Sequence, residues 1–502
     1  MTERVAPLPA NPSRIDTVDC AALGYLALPN VIFIWGWIRS PWGLVAALLV
    51  AAAVIYLMRG ATKPQSSIPR SSWVVAGVCA FLWLAISGVG HLVYANSDWL
   101  VRDVVLHDLA TLPWPVQYKV ASAPGVMLLR APLGYFLPTA LAARVFGFGI
   151  SQIVLFGWTF IGVVLCFRML AARTTSTRAV GVLIAVFVFF SGLDIVGMVI
   201  EGKLPDLGDH LEWWASYFQY SSDTTQLFWV PNHALPAWIV TLWILKVGRD
   251  RMPLGFAIAM VALTPIWSPL ASIGLAPLVA AMALRDGLFA LNGSAKAFLA
   301  WLRQLANPGM IVIAATTLLL VDPFLLMASG SVPAGWVVEH RDMLAMVRRV
   351  ALFVTLEFGI YWILMLYRYR FDLLLTTSGL ILLLLPWYQF GPGSDLTMRA
   401  SIPALVVFAV RLADWFVERL VPEPGTPVSG DAAASFAMLV FVVGMITPAQ
   451  EMIRPFTVSA SPMDVSASVF GITHGDATHY LTQRKGAWAD RFLAMPAYDG
   501  TH

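Results

Sequence analysis

Long apolar runs recur along almost the whole of this 502-residue chain, and they constrain its fold more than any other feature. A run of about 17–25 residues is the length of helix that crosses a bilayer core of about 30 Å. Hydrophobic residues make up 59% of the chain and charged residues 12%, against about a quarter charged in soluble domains. The sequence therefore predicts an all-α fold, a polytopic transmembrane helix bundle.

The apolar runs predict about thirteen spans. They lie near 21–38, 42–58, 73–94, 150–168, 179–199, 230–247, 254–267, 269–284, 308–327, 350–367, 373–390, 402–417 and 433–447. Segment 131–147 is also apolar, but we assign it to a helix in the outer membrane interface, because a crossing there would move the next basic cluster outside. The hairpin 254–267/269–284 is short, so it spans only if the bilayer is thinned or the hairpin packs inside the bundle.

Lysine and arginine placement predicts the orientation. Basic residues cluster in the short connections, at Arg59/Lys63/Arg70, Arg168/Arg173/Arg178, Lys246/Arg249/Arg251, Arg285/Lys296/Arg303 and Arg368/Arg370. Positive loops stay cytoplasmic, and thirteen crossings put all five clusters on one side. We expect a multi-pass inner-membrane protein with its N-terminus inside and its C-terminus outside, and a first span that serves as a signal-anchor rather than a removable signal peptide.

This topology predicts two parts of unequal size. The transmembrane bundle covers 1–447, with outer loops 91–149, 200–229, 328–349 and 391–401. Residues 448–502 form a short extracytoplasmic tail, too short and polar for a large core of its own, and we expect it to pack on the outer loops.

Charge and cysteine content exclude several classes of function. A net charge of +3 is too small to indicate nucleic-acid binding. The three cysteines, Cys20, Cys79 and Cys166, lie far apart at or within apolar segments, which fits small buried side chains and neither metal-ligand spacing nor a disulfide framework.

The first outer loop carries three carboxylates in the segment 96–118, at Asp98, Asp103 and Asp108. Residues five apart are about 140° apart around a helix, so one straight helix cannot aim all three at one point. Asp98 is the favoured catalytic candidate, because it lies where the span 73–94 leaves the membrane, and Asp103 is the second. Asp98 can instead cap a helix that begins at Trp99.

Two basic side chains share faces with these acids. Arg102 is four residues after Asp98, and His107 is four residues after Asp103, so each pair can meet on one side of a helix. We include Arg102, His107 and Asp108 as candidate substrate-binding residues.

The second outer loop, 201–233, combines acids with many aromatic residues. Rings that stack on sugar faces and carboxylates that accept hydroxyl protons are typical of a sugar-binding cleft. Asp223 and His233 are the candidates here. An interfacial aromatic belt explains many of the rings equally well, and a lone histidine is more often structural.

Arginines in predicted outer loops run against the positive-inside tendency. They are Arg341 and Arg349 before one span, and Arg399, four residues after Asp395, before another. Binding a lipid phosphate bidentately would explain arginines at this surface. The alternative is a solvated rim or a headgroup contact.

Three further acids, Asp194, Asp322 and Glu357, fall inside predicted spans. Carboxylates inside a membrane are costly and usually face a cavity or a partner. The predicted topology places all three in the outer part of their helices, which indicates a polar cleft that opens outward.

The chain resembles a GT-C-type integral membrane glycosyltransferase of an uncharacterised bacterial branch. The resemblance rests on the segments Asn96–Trp99 (NSDW), Phe228–His233 (FWVPNH) and Ser394–Arg399 (SDLTMR), and on the order of spans and loops around them. It implies a polyprenyl-phosphate or polyprenyl-diphosphate sugar donor and gives Asp98 the role of the acidic residue of the first outer loop. GT-C enzymes usually place this loop after the first span, whereas here two additional crossings (21–58) come before the span that leads into it, and many members have a large soluble C-terminal domain where this chain has about 55 predicted outer residues.

The resemblance implies an inverting substitution at the anomeric carbon. Asp98 would deprotonate or orient the acceptor, and basic side chains, with or without a divalent cation, would stabilise the departing lipid phosphate. The partners would be the lipid-linked sugar and the bilayer. Two alternatives stay open: a polymerase or ligase of lipid-linked glycans, in which arginine and histidine lead, and a secondary transporter that uses intramembrane acids and broken helices.

Overall fold

A computed structural model describes residues 14–63, 68–119, 126–131, 133–248, 250–327, 332–337, 342–391, 393–422, 431–472 and 480–495. These residues are mostly helical with a few short strands, so the prediction of a helical fold is confirmed.

The α-helices, in chain order, are α1 (Thr17–Trp37), α2 (Trp42–Met58), α3 (Arg70–Ala85), α4 (Asp98–Thr111), α5 (Leu137–Phe146), α6 (Ser151–Ala171), α7 (Thr177–Phe189), α8 (Asp194–Ile200), α9 (Asp223–Trp229), α10 (Pro231–Val247), α11 (Leu254–Ala262), α12 (Pro269–Gly293), α13 (Ala295–Leu302), α14 (Pro308–Thr316), α15 (Asp322–Leu326), α16 (Met343–Val354), α17 (Ile360–Tyr369), α18 (Leu373–Leu384), α19 (Asp395–Ala400), α20 (Ile402–Leu420), α21 (Ala432–Gly444), α22 (Ile446–Thr457), α23 (Val469–Ile472) and α24 (Ala487–Phe492). The strands are β1 (Gln117–Lys119), β2 (Val126–Leu129), β3 (Ala334–Trp336), β4 (Tyr388–Phe390) and β5 (Leu481–Gln483).

Within the described residues, eight helical stretches are long and apolar enough to cross a membrane. They are Thr17–Trp37, Phe148–Ala171, Thr177–Ile200, Pro269–Gly293, Pro308–Leu326, Met343–Tyr369, Asp395–Leu420 and Ala432–Thr457. Four apolar helices are shorter: Trp42–Met58, Arg70–Ala85, Leu137–Phe146 and Leu373–Trp387. A membrane protein built from apolar helices agrees with the sequence analysis, and the total of about thirteen spans stays a prediction.

Helices α10 and α20 form the centre of the bundle. All but two residues of α10 are buried, including Trp238 and Trp243. Helix α20 packs along α10 and is buried over most of its length. Both helices begin at the end of the bundle that holds the candidate site, so they connect that site to the opposite end.

Charged side chains fix the opposite end of the bundle. Lys246, at the end of α10, lies 2.7 Å from the carboxylate of Asp16 and 2.6 Å from that of Asp19. Asp16 and Asp19 form a reciprocal capping box at the start of α1, where each side chain accepts a backbone N–H of the other. Because the cap supplies the acids and α10 supplies the lysine, this contact joins the first helix to the central one.

Three helix lengths differ from the sequence-based boundaries. The helix predicted within 73–94 ends at Ala85, because Gly88 takes a left-handed conformation (φ 96°) and the chain turns there. The second arm of the predicted short hairpin is a helix of 25 residues, α12, whereas the first arm, α11, has only nine. The predicted boundary at 447 falls inside α22.

The described part of the tail packs against the segment 91–149. Strand β5 pairs antiparallel with β2, which pairs antiparallel with β1. The backbone N–H of Ser461 donates to the carbonyl of Ala95 (2.8 Å), next to the start of α4. The tail therefore contributes residues to the same end of the bundle as Asp98.

Candidate functional site

Two segments from the sequence analysis meet at the start of α4. The side-chain amide of Asn96 donates to the carbonyl of Phe228 (2.9 Å), and the indole N–H of Trp99 reaches the same oxygen (3.4 Å). Asn96 Oδ1 also accepts the backbone N–H of Asp98 (3.1 Å). Asn96 therefore accepts one of the backbone N–H groups at the start of α4 that has no partner within the helix, and the carboxylate of Asp98 is left for other contacts.

Asp98 points its carboxylate towards Arg102. The guanidinium of Arg102 donates through Nη2 to Asp98 Oδ2 at 2.9 Å, as expected for residues four apart on a helix. The Asp98 side chain is 42% exposed, and that of Arg102 is 7% exposed. Arg102 Nη1 is buried and has no hydrogen-bond partner within the described ranges. A buried guanidinium with an N–H donor that has no acceptor can bind an anion.

A second ion pair comes from the turn before α20. Arg399 Nη1 lies 2.8 Å from Asp395 Oδ1, again across four residues. Gly391 has a φ of +86°, and a Cβ there would lie 2.2 Å from Asp395 Oδ2, so only glycine fits beside this carboxylate. The Ser394 hydroxyl donates to the carbonyl of Tyr217 (2.5 Å). This bond joins the turn to the loop 201–233.

Two adjoining cavities share Asp98, Val230, Gly393 and Arg399. We call the smaller one, of about 290 Å³, the charged cavity. Its polar lining includes Asp98, Arg102, His233, Asp395, Arg399 and Tyr480. We call the larger one, of about 510 Å³, the aromatic cavity. Beyond the shared residues, its lining includes His210, Trp213, Tyr217, Phe218, Gln219 and Trp229.

Two residues of the charged cavity come from distant parts of the chain. His233, in the first turn of α10, bonds through Nδ1 to the hydroxyl of Ser268 (2.6 Å). Tyr480, just before β5, is fixed by its carbonyl, which accepts the backbone N–H of Arg130 (2.7 Å). Burial raises the pKa of the Tyr480 phenol, so this residue faces the cavity as a neutral hydroxyl.

A histidine held by carboxylates lines the aromatic cavity. His210 Nδ1 lies 2.6 Å from Glu451 Oε1, and the other oxygen of Glu451 accepts the indole N–H of Trp229 (2.9 Å). On the far side of the ring, His210 Nε2 lies 3.9 Å from Glu212 Oε2. Burial lowers the pKa of His210, but Glu451 and Glu212 outweigh that effect and leave it raised. Glu451 therefore fixes the orientation of the His210 ring at the wall of the cavity.

The other acids of the first loop point away from both cavities. Asp103 is buried and bonds to His91 Nε2 (2.8 Å) and to the amide of Gln152 (3.1 Å). Asp108 accepts the Tyr118 hydroxyl (2.6 Å), and His107 Nδ1 lies 3.6 Å from it. Burial raises the pKa of Asp108. In this structure Asp103, His107 and Asp108 hold α4 against its neighbours and do not line the site.

The remaining candidates are placed as follows. Asp223 begins α9 and is buried behind the cavities, where burial raises the pKa of its carboxyl well above its usual range. Arg349 lies over the ring of Tyr217, with its guanidinium carbon 5.2 Å from the ring centre, at the edge of the aromatic cavity. Arg341 lies outside the described residues. The structure therefore brings Asp98, Arg102, His233, Asp395 and Arg399 together at one cavity and places Arg349 beside the next.

The carboxylates of the charged cavity do not resemble a divalent-cation site. Asp98 and Asp395 are each paired with an arginine. Across the described ranges, no group of three or more histidine, cysteine, aspartate or glutamate side chains is arranged to hold a metal ion.

Sequence reasoning did not select His210, Glu451 or Tyr480. His210 lies in the loop 201–233, and the aromatic and acidic composition of that loop was the signal that could have identified this histidine. Glu451 was assigned to a polar tail because the apolar run stops near residue 447, although α22 continues to Thr457. Tyr480 reaches the cavity through the pairing of β5 with β2, which depends on a contact between segments about 350 residues apart.

The buried Glu212 gives a pH prediction. Burial and then the nearby Asp194 raise its pKa to about 7, although the charge of His210 opposes this. A raised carboxyl pKa means that the folded protein binds more protons than the unfolded chain between about pH 4.5 and 7. The resulting stability is fully present below that range and is lost as pH rises through about 7. Its upper limit is about 3 kcal/mol, from about 1.4 kcal/mol for each pKa unit.

We therefore expect the melting temperature of the detergent-purified protein to fall between pH 5 and 8. In Glu212→Gln this slope should be clearly smaller. Glu201→Gln, at an exposed position of the same loop, is the matched control and should keep the wild-type slope. Equal slopes in wild type and Glu212→Gln would contradict the assignment.

The site rests on its own geometry. Comparison with protein-family models, with curated proteins and with solved structures finds no match to this chain.

Proposed function

We propose that the protein is a membrane glycosyltransferase. It moves a sugar from a polyprenyl-phosphate or polyprenyl-diphosphate donor to an acceptor on the extracytoplasmic side of the inner membrane. The observation that carries this proposal is the position of Asp98, at the boundary between the charged cavity and the aromatic cavity.

The aromatic cavity has the size and lining for a sugar ring. Its volume of about 510 Å³ falls within the range of small-molecule sites, about 300–1,000 Å³. Trp213, Tyr217 and Trp229 offer ring faces, while Gln219 and the serines nearby offer hydrogen bonds to hydroxyl groups. Flat apolar faces combined with a few polar groups are suited to a pyranose, which has both kinds of surface.

The charged cavity has the donors for a phosphate. Arg102 and Arg399 each direct part of their guanidinium to one aspartate, and Arg102 Nη1 is still free of partners among the described residues. Planar guanidinium groups bind phosphate oxygens in pairs of parallel hydrogen bonds. A lipid phosphate here would place its sugar next to Asp98 and the aromatic cavity.

The reaction that fits this arrangement is a single displacement. The acceptor hydroxyl oxygen forms a bond to the anomeric carbon, and the bond from that carbon to the phosphate oxygen breaks, with its electron pair leaving on the phosphate. Asp98 takes or orients the acceptor proton. Arg102 and Arg399 stabilise the charge on the leaving phosphate. Attack opposite the leaving group inverts the anomeric configuration.

The direction of the central helices supports an outward-facing site. His233 in α10 lines the charged cavity, and Lys246 lies thirteen residues further on, about 20 Å along the helix axis. Arg399 precedes α20, and Asp414 near its other end pairs with Arg173. Lys246 and Arg173 belong to basic clusters that the positive-inside rule assigns to the cytoplasm. The cavities then face outward, with the N-terminus inside.

The test is release of polyprenyl phosphate. The full chain, purified into lipid nanodiscs, is incubated with hexoses and pentoses linked to short polyprenyl phosphates and polyprenyl diphosphates, and with a bacterial envelope extract as the acceptor source. We expect lipid phosphate to appear together with a labelled glycan. If no lipid-linked sugar of this panel is consumed above the rate of a heat-treated sample, the proposal is wrong. Products that lengthen with time would indicate a glycan polymerase or ligase.

A secondary transporter is the second candidate. Helical regularity is broken inside several candidate spans, for example at residues 190–193 and at the π-helical turns Thr317–Val321 and Thr355–Gly359, and transporters use such breaks at their binding sites. Accumulation of a free sugar in proteoliposomes, without consumption of a lipid-linked donor, would favour this candidate.

A further inference from the structure

Two carboxyl groups meet inside the bundle, away from both cavities. Asp194, at the start of α8, and Glu357, in the π-helical turn Thr355–Gly359, are both buried. Asp194 Oδ1 and Glu357 Oε2 are buried oxygens that have no hydrogen-bond partner among the described residues. Two ionised carboxylates buried beside each other repel, and one proton held between them would remove one charge and supply the missing hydrogen bond.

The surrounding donors indicate which group holds it. Asp194 Oδ2 accepts hydroxyl hydrogen bonds from Ser191 (3.0 Å) and Thr447 (2.8 Å). Among the described residues, Glu357 Oε1 accepts a hydrogen bond only from the indole N–H of Trp214 (2.9 Å). Hydrogen bonds to a carboxylate stabilise its ionised form. Asp194 is therefore the acceptor, and Glu357 carries the proton.

The charge of the pair is not balanced by a basic side chain in direct contact. Among the described residues, no lysine or arginine forms an ion pair with Asp194 or Glu357. The titratable groups that face it are His210, Glu212, Tyr220 and Tyr361. Two negative charges in a buried site without a cation are too costly to persist. A bound proton removes one of them.

The backbone around the pair is irregular on both sides. Residues 190–193 interrupt the helical stretch Thr177–Ile200, and the backbone N–H of Leu193 donates to the carbonyl of Leu356 in the π turn (3.0 Å). A Cβ on Gly192 would lie 2.3 Å from Glu357 Oε2, so the interrupted segment approaches the carboxyl closely. Single π turns inside α-helices occur often at functional sites.

A third polar group lies unpaired beside the acids. The buried Tyr361 hydroxyl has no hydrogen-bond partner within the described part of the chain. It and the carbonyl oxygen of Ser191 lie 3.1 Å and 2.7 Å from the position that a Cβ on Gly444 would take. Oxygens from the interrupted segment 190–193 and from α17 therefore converge beside Gly444.

We propose that Asp194 and Glu357 form a buried proton-binding site that holds one proton between the interrupted helix α7–α8 and the π turn of α16–α17. Loss of this proton would leave two adjacent negative charges and would separate the two elements. The inference is independent of the proposed sugar transfer.

Infrared spectroscopy of the full chain in nanodiscs of neutral lipid tests the proposal. At neutral pH, wild type should show the carbonyl stretching band of a buried protonated carboxyl group that Glu357→Gln lacks. Asp194→Asn should retain this band at a shifted frequency, because Glu357 then has no ionised partner. Asp414→Asn, in an ion pair at the other end of the bundle, is the control and should leave the band unchanged. Identical wild-type and Glu357→Gln spectra in this region would overturn the proposal.

Exchange of salts separates a proton from a metal cation. The band should be the same in sodium and in choline chloride, and its loss on addition of sodium would show a sodium site instead. If Glu357→Gln does not fold, Thr447→Val removes one donor to Asp194 and should shift the band; an unshifted band would contradict the proposal. Amide hydrogen exchange across 190–200 and 355–359, corrected for intrinsic rates, should become faster at alkaline pH in wild type. An unchanged protection there would refute the link to these two elements.

Discussion

Replacing Asp98 with asparagine is expected to lower sugar transfer by about 10²–10⁴-fold, the usual effect of removing a positioned general base. Asn96 satisfies the start of α4, and the side-chain amide oxygen introduced by Asp98→Asn could still accept the hydrogen bond that Arg102 donates. The change therefore removes the basic oxygen and the negative charge while the fold is kept. The measurement is the initial rate of polyprenyl-phosphate release in nanodiscs, with the melting temperature recorded beside it.

The matched control is the same substitution five residues further along α4. Asp103 is buried and bonds to His91 and Gln152, outside both cavities. Asp103→Asn should lower the melting temperature and leave the rate per folded molecule within a few fold of wild type. Near-normal transfer in Asp98→Asn, together with a large loss in Asp103→Asn, would move the catalytic role to Asp103.

The second large effect is on stability. Lys246→Met should destabilise the protein by about 3–5 kcal/mol, the usual cost of removing one partner of a buried ion pair. Asp19 is almost fully buried and Asp16 largely so, and Lys246 contacts both. Methionine fills a similar volume but removes the ammonium group that contacts both carboxylates. Thermal or denaturant unfolding of the purified protein measures the loss.

An exposed pair provides the comparison for this prediction. Arg368 and Glu418 form an ion pair whose side chains are 39% and 51% exposed, and surface pairs contribute about 0–1 kcal/mol. Arg368→Met should therefore change stability by less than about 1 kcal/mol. Neutralising one acid, in Lys246→Met/Asp19→Asn, should recover part of the loss. Equal effects of Lys246→Met and Arg368→Met would show that burial of the acids is not the cause.

The case of Asp98 shows where sequence reasoning reaches its limit. Residue types around 96–99 leave a general base and a helix cap equally open, because asparagine, serine and aspartate all cap helices. The structure resolves the capping question locally, since Asn96 Oδ1 takes the backbone N–H and the Asp98 carboxylate turns to Arg102. Its chemical role stays a prediction for the transfer assay.

The sequence by itself determined the features that repeat along the chain. Apolar runs and their lengths predicted a helical membrane protein, and the spacing of Asp98, Asp103 and Asp108 predicted that they could not meet at one point. Both follow from the fixed geometry of one helix. The boundaries of α3 and α22 were less certain. In α3 the helix ends at Ala85 although the apolar run continues, whereas α22 continues to Thr457 after the apolar run has ended.

Only the tertiary structure decided which polar groups meet. His210 contacts Glu451 across 241 residues, Lys246 contacts Asp16 across 230, and Asp194 meets Glu357 from another candidate span. Hydrophobic periodicity gives the apolar surface of each helix, but it does not specify which helix packs against that surface. An unpaired polar side chain costs little free energy while it is exposed to water. Its partner is therefore decided only when the helices pack around one core and bury it.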